Sequence, residues 1–226
     1  MREPVALEEL NATRLLGEVR PWVESLCSRY KNPDWCDHFV KKRGLSNRLQ
    51  GELVPLAQLR DRLAPERPES RLKYFPGSGQ SFDAHILAAD NFVQEVLEVT
   101  LACDGYRDAI AGECLKKYGW APLWIPLAYS GRRNARELPL PKMQSKDTEQ
   151  IVEDGLTLIR NAVGAKSASG KYESVSLVVG LEDFRFLDRH FEYVKSELQK
   201  TASAFKVVYY VGLDGRFFFT QIDSDR

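Results

Sequence analysis

Leu16, Val19, Val23, Leu26 and Tyr30 recur at intervals of three and four, the spacing that lines one face of an α-helix. Pro21 falls inside that run and has no N–H, so it predicts a break or kink, with a second helix beginning at its first turn. After the turn signal Asn32-Pro33-Asp34, residues 35–42 can form a short helix that stops near Gly44. Leu49, Leu53, Leu56, Leu59 and Leu63 form a leucine stripe interrupted at Pro55. Residues 64–80 hold three prolines and two glycines and read as a connector.

From Ser81 the period changes from 3.6 to 2. Residues 82–88, the turn Asp90-Asn91 and residues 92–102 predict a β-hairpin. In its second strand Val93, Leu97, Val99 and Leu101 share one face, and Gln94, Val96, Glu98 and Thr100 the other. Asp104 can cap a helix reaching Tyr118, residues 123–129 suggest a strand, and residues 148–165 form an amphipathic helix on Val152, Leu156, Ile159 and Val163. The apolar run Val175 to Val179 suits a strand covered on both faces. A helix carrying Phe184, Leu187, Phe191, Val194 and Leu198 follows it, and the Asp214-Gly215 turn joins residues 206–211 to 217–222 as a hairpin. The expectation is an α/β fold over residues 81–226, a mixed sheet flanked by helices, with a helical N-terminal extension over 1–63 and the connector between them.

Charge and composition narrow the functions. Lys+Arg and Asp+Glu each number 32 in 226 residues, so no whole-chain positive field draws the protein to nucleic acid, and any such contact must be local. The basic segment Arg132, Arg133, Arg136, Lys142 and Lys146 is the local candidate for phosphate contacts. No apolar run reaches bilayer length and the first residues lack an apolar core behind their charges, which predicts a cytoplasmic, non-membrane protein. Four cysteines do not make a disulfide framework in a chain this long. Cys27, Cys36 and His38 could supply three zinc ligands, but their spacing does not match a structural knuckle, and Cys27 and Cys114 suit helix cores equally well. No Walker loop, Rossmann glycine set or G-x-S-x-G elbow occurs, which disfavours nucleotide-hydrolysing, dehydrogenase and serine-hydrolase chemistry.

Chemistry concentrates in the early hairpin. Antiparallel pairing across its short turn places Asp83 near Glu98, two carboxylates of the kind that hold a hard Mg²⁺ ion. His85, two residues beyond Asp83, shares its strand face and could serve as ligand or base. A helical part, a strand with Phe82-Asp83, a return strand with Glu98-Val99-Thr100, a helix and further α/β elements resemble the PD-(D/E)xK nuclease superfamily. The resemblance implies a restriction-endonuclease-like sheet, a Mg²⁺ site on Asp83 and Glu98, and cleavage of DNA or RNA. Thr100 stands where that family carries lysine, and a hydroxyl cannot supply the lysine's charge. Either another lysine, with Lys73, Lys142 and Lys146 as candidates, has moved into the site, or the site is inactive. The spacing Arg185-x4-His190 is similar to that of HEPN ribonucleases, although Phe186 follows the arginine and the helix lies between strands. The alternative to a nuclease is a non-catalytic interaction protein of the immunity or defence-regulating type, binding a protein partner through the apolar faces of its N-terminal helices.

Overall fold

β5 (Ser176–Leu181) is buried at all six positions, so both faces of the sheet must be covered where it runs. The computed structural model describes residues 3–32, 34–35, 44–77, 82–105, 114, 117–119, 147–168 and 174–222. Among them a seven-stranded mixed sheet follows chain order: β1 (Arg14–Leu15), β2 (Arg71–Tyr74), β3 (Ala84–Leu87), β4 (Val93–Ala102), β5, β6 (Val207–Gly212) and β7 (Phe218–Ile222). The first four strands form an antiparallel meander, β4, β5 and β6 are parallel, and β7 returns antiparallel. Parallel neighbours need crossovers. α5 (Thr148–Ser167) leads from β4 to β5 and α6 (Phe191–Gln199) from β5 to β6, and both bury their apolar stripes against the same face. The protein is therefore α/β.

The opposite face is covered by the N-terminal helices, which form a layer of the fold. α1 (Leu7–Leu10) precedes α2 (Leu16–Arg29), whose Leu16, Val19, Val23 and Leu26 pack in one core with Leu72, Tyr74, Leu97, Val99 and Val178 of the sheet. The apolar stripes that left a protein partner open are buried here against the chain's own strands.

Pro21 does not break α2. Its missing N–H would otherwise bond the carbonyl of Gly17, four residues back. Arg60 supplies the replacement: its Nη2 donates to Gly17 O at 2.6 Å and its Nε to Leu16 O at 2.7 Å.

Pro55 does not end its helix either. α3 (Leu45–Arg48) runs through a π-helical turn (Leu49–Leu53) directly into α4 (Val54–Leu63). The N–H of Val54 reaches back five residues to Leu49 O, and Pro55 falls at the start of the resumed α-helix, where a missing donor disturbs least.

Three further elements differ from the periodicity. Residues 71–74, inside the proline-rich stretch read as connector, pair with β3 as β2. The helix expected to carry Phe184 and Leu187 begins only at Phe191, after two 3₁₀ turns (Asp183–Arg185 and Asp188–His190). Its first turn is displaced because Asp183 is committed elsewhere: the fully buried carboxylate accepts from the N–H groups of Asp214 (2.9 Å), Arg216 (2.8 Å) and Phe217 (3.1 Å). That carboxylate clamps the β6–β7 turn, where Gly215 takes φ +76°. The hairpin between β3 and β4 turns at Asn91 with φ +66°, as an Asp-Asn pair permits. The expected helices over 35–42 and 104–118 and the strand over 123–129 lie wholly or largely outside the described residues. Among the described residues no helix is long and apolar enough to cross a membrane.

Candidate active site

Register decides which side chains meet. Ala84 pairs with Leu97 and His85 with Val96. Ala84, Ile86, Leu97 and Val99 bury toward the N-terminal helices, so the intervening residues of β4, Val96, Glu98, Thr100 and Ala102, face α5. Asp83 enters the sheet one step before Ala84 and so arrives level with Glu98. Its N–H donates to Leu97 O at 2.8 Å, and its Oδ2 accepts from the N–H of Val99 at 2.8 Å. The Asp83 carboxylate is thereby locked to the backbone of β4 between Glu98 and Thr100.

Glu98 is 6% exposed, a depth at which an ionised carboxylate requires a partner. Lys166, in the last turn of α5, donates from Nζ to Glu98 Oε1. The same ammonium acts electrostatically on Asp83. Burial nonetheless raises the Asp83 carboxyl above the ordinary aspartate range, against the lowering effects of the Val99 N–H, Lys166 and Arg48.

A third carboxylate approaches from the other layer. Glu52 sits in the π turn, and the hydroxyl of buried Tyr74 donates to its Oε2. Burial raises the Glu52 carboxyl; the Tyr74 hydrogen bond and Arg48 lower it, while the charges of Asp83 and Glu98 raise it further. The π turn adds a residue to the helix at this point, a distortion that often accompanies a functional position. Glu52, Asp83 and Glu98 thus share one electrostatic neighbourhood, with Arg48 and Lys166 as its cations.

Among the described residues no group of three His, Cys, Asp or Glu side chains forms a ready-made metal cage. Mg²⁺ does not need one, since it commonly binds through one or two carboxylates and takes its other ligands from water and substrate phosphate. Asp83, just ahead of β3, and Glu98 of β4 carry hard oxygen donors, and a cation beside them would favour the ionised form of Asp83 that burial disfavours. Carboxylate oxygens are the donor class that such an ion takes.

Thr100 lines a cleft of about 570 Å³ together with Cys103, Asp104, Leu158, Asn161 and Lys166. The position that carries lysine in the resembled family and the lysine that reaches Glu98 therefore border one space. Lys73, a candidate for a displaced lysine, instead stands over the ring of Phe75 at 5.1 Å. His85 is half-buried among Phe75 and Phe82, and burial lowers its pKa, with the charge of Lys73 acting the same way. Lys142, Lys146, Arg132, Arg133 and Arg136 lie outside the described residues, as do Cys36 and His38. Cys27 packs half-buried against the core of the N-terminal layer. Arg185 is paired with Glu182, and His190 accepts from the N–H of Leu187 through Nδ1, so the two residues of the Arg-x4-His spacing are engaged in separate 3₁₀ turns.

Lys166 and Glu52 are absent from the sequence expectations, yet both leave a trace. Lys166 is the next step of the buried stripe Val152, Leu156, Ile159, Val163, and Glu52 falls in the series Leu49, Glu52, Leu56, Leu59. A charged residue where a core position is due requires a buried partner. Comparison of the chain with models of protein families, with curated proteins and with solved structures gives no match.

Proposed function

We propose that the protein is a Mg²⁺-dependent phosphodiesterase acting on DNA or RNA, of the PD-(D/E)xK type, in which Lys166 takes the part of the motif lysine missing at Thr100. The observation that carries this reading is the reach of Lys166 to Glu98, on the strand whose Val99 N–H holds Asp83, while Lys166 also lines a cleft with Thr100. The order of elements supports a restriction-endonuclease-like arrangement: an antiparallel run β2, β3, β4, then α5, then a parallel β5. Asp83 and Glu98 would hold the ion, which when bound polarises the phosphodiester and lowers the pKa of its water. Asp83 keeps its orientation through the Val99 N–H, so its carboxylate is already placed before substrate arrives. Lys166 neutralises Glu98 and offers a positive charge for the phosphate, which the Thr100 hydroxyl cannot. Arg132, Arg133, Arg136, Lys142 and Lys146 would supply further phosphate contacts, and their replacement by alanine would flatten the salt dependence of binding.

The test is cleavage of labelled DNA and RNA by the full chain with Mg²⁺, Mn²⁺ or EDTA, beside Asp83→Asn and Glu98→Gln. Cleavage that requires the ion and disappears in both variants is expected. Activity that survives Glu98→Gln, or a folded protein that cleaves nothing and whose Tm ignores Mg²⁺, overturns the proposal.

A further inference from the structure

Beside the carboxylates, on the α5 side of the sheet, Phe75, Phe82 and His85 form an aromatic cluster. Lys73 pairs with His85 across β2 and β3, and the N–H of Phe75 donates to Asp83 O at 2.8 Å, so Lys73, Phe75, Asp83 and His85 share a face. Phe82 folds onto it: its ring lies 4.5 Å from His85 at an interplanar angle of 30° and 5.3 Å from Phe75 at 84°. Phe75 meets His85 edge-on at 4.7 Å. The three rings buttress one another, yet all three and Lys73 are only half-buried. α5 packs on β4 and β5, the next strands across.

We infer that this cluster is a stacking platform for an unpaired nucleobase, which makes single-stranded nucleic acid the substrate class of the adjoining site; the inference rests on the phosphodiesterase reading above. Three features of the patch select this occupant. A cluster of three mutually packed rings, none of them fully buried, offers apolar aromatic surface on which a base can stack. The Lys73 ammonium lies over the Phe75 ring, 5.1 Å from its centroid, so the cluster carries a cation where the phosphate of a nucleotide stacked on its neighbours needs one. Phe82 is bonded directly to Asp83, so a base stacked on its ring lies next to a proposed ligand of the ion. In a duplex both faces of each base are covered by neighbours, and only an unpaired base can offer a face to a ring. Stacking tolerates any base, so sequence selectivity is not expected from this surface.

The full chain carrying Glu98→Gln is titrated in EDTA with fluorescent dodecamers: unstructured single-stranded DNA, the same sequence as RNA, and the blunt DNA duplex. Single strands are expected to bind at least tenfold more tightly than the duplex, and the DNA and RNA arms distinguish the two sources of the unpaired base. Phe82→Leu, which keeps the apolar bulk and removes the ring, should weaken single-strand binding about tenfold and leave duplex binding unchanged. Lys73→Gln should lower the salt slope by about 0.7. Phe82→Trp gives a second readout, quenching of its added fluorescence by single strands, which decides the matter should Phe82→Leu fail to fold. Equal affinity for single strand and duplex, or a folded Phe82→Leu that binds single strands as before, overturns the platform. Mg²⁺-dependent cleavage of duplex and single strand alike, unaffected by Phe82→Leu, would remove the platform and leave the phosphodiesterase. Single-strand binding that needs Phe82, with no cleavage under any ion, would remove the phosphodiesterase and leave the platform.

Discussion

Lys166 and Glu98, 68 residues apart in sequence, form an ion pair in which the carboxylate is nearly buried and the ammonium keeps 31% of its side-chain surface in solvent. The asymmetry matters. Glu98 meets the pair from within the core, whereas Lys166 retains access to the cleft it lines.

Removing the ammonium should therefore cost stability as well as chemistry. Lys166→Met removes the ammonium that donates to Glu98 and is expected to destabilise the fold by about 2 kcal/mol in EDTA, less than for a fully enclosed pair because Lys166 is partly solvated. Mg²⁺ should restore part of the loss, so thermal melts are expected to show a larger Mg²⁺-induced rise in Tm for the variant than for the wild type. Identical melts for the two proteins in EDTA would contradict this dependence.

Glu52 should give the apo protein a pH-dependent weakness. Its carboxyl is raised in the folded state, chiefly by burial, so its contribution to stability is fully present below the unfolded glutamate pKa and is lost as pH rises through the folded value. Glu52→Gln retains an oxygen for the Tyr74 hydroxyl and carries no charge. Urea unfolding in EDTA is expected to find variant and wild type similar at pH 4 and the variant more stable at pH 8. A variant less stable at pH 8 would mean that the charge itself holds Tyr74 in place.

The Pro21 substitution tests how α2 survives its proline. Arg60→Met is expected to cost about 2 kcal/mol, because two helix carbonyls lose a charged donor. In a Pro21→Ala background the alanine N–H can bond Gly17 O itself, and the same Arg60 change should cost about 1 kcal/mol less. A double-mutant cycle by chemical denaturation measures the difference, and additivity would sever Arg60 from the proline.

Asp183 should anchor the last hairpin. Asp183→Ala strands three N–H groups of residues 214–217 and is expected to cost about 3 kcal/mol. Amide exchange should accelerate first in β7, and uniform loss of protection across the sheet would point to a general core defect instead.

Much of the fold could be read from period alone. The hairpin of β3 and β4, the faces of β4 from Leu97 onward, the doubly buried β5 and the Asp-Gly turn are local patterns, and local patterns survive packing. Val93 is the exception, because a bulge pairs it with Leu87 and takes it off the Leu97 face. The misread elements share a cause. Pro21 and Pro55 look like breaks because their remedies, Arg60 from another helix and a π turn, lie outside the local rule. β2 was hidden by flanking prolines and a strand only four residues long. At the site, Asp83 and Glu98 were legible because one turn joins their strands, whereas Lys166 and Glu52 come from different layers, and no spacing rule links positions 52, 83, 98 and 166.

The most direct measurement is the initial rate of Mg²⁺-dependent cleavage of one single-stranded substrate by wild type, Lys166→Met, and Lys166→Met with Thr100→Lys. Thr100 lies on the Glu98 face and lines the same cleft as Lys166, so a lysine placed there returns the charge by the shorter route. The expected result is cleavage by wild type, a fall of about a hundredfold or more in Lys166→Met, and recovery of at least tenfold in the double variant. Equal rates for wild type and Lys166→Met, or a folded double variant as inactive as Lys166→Met, would contradict the assignment of Lys166 to the missing lysine's role.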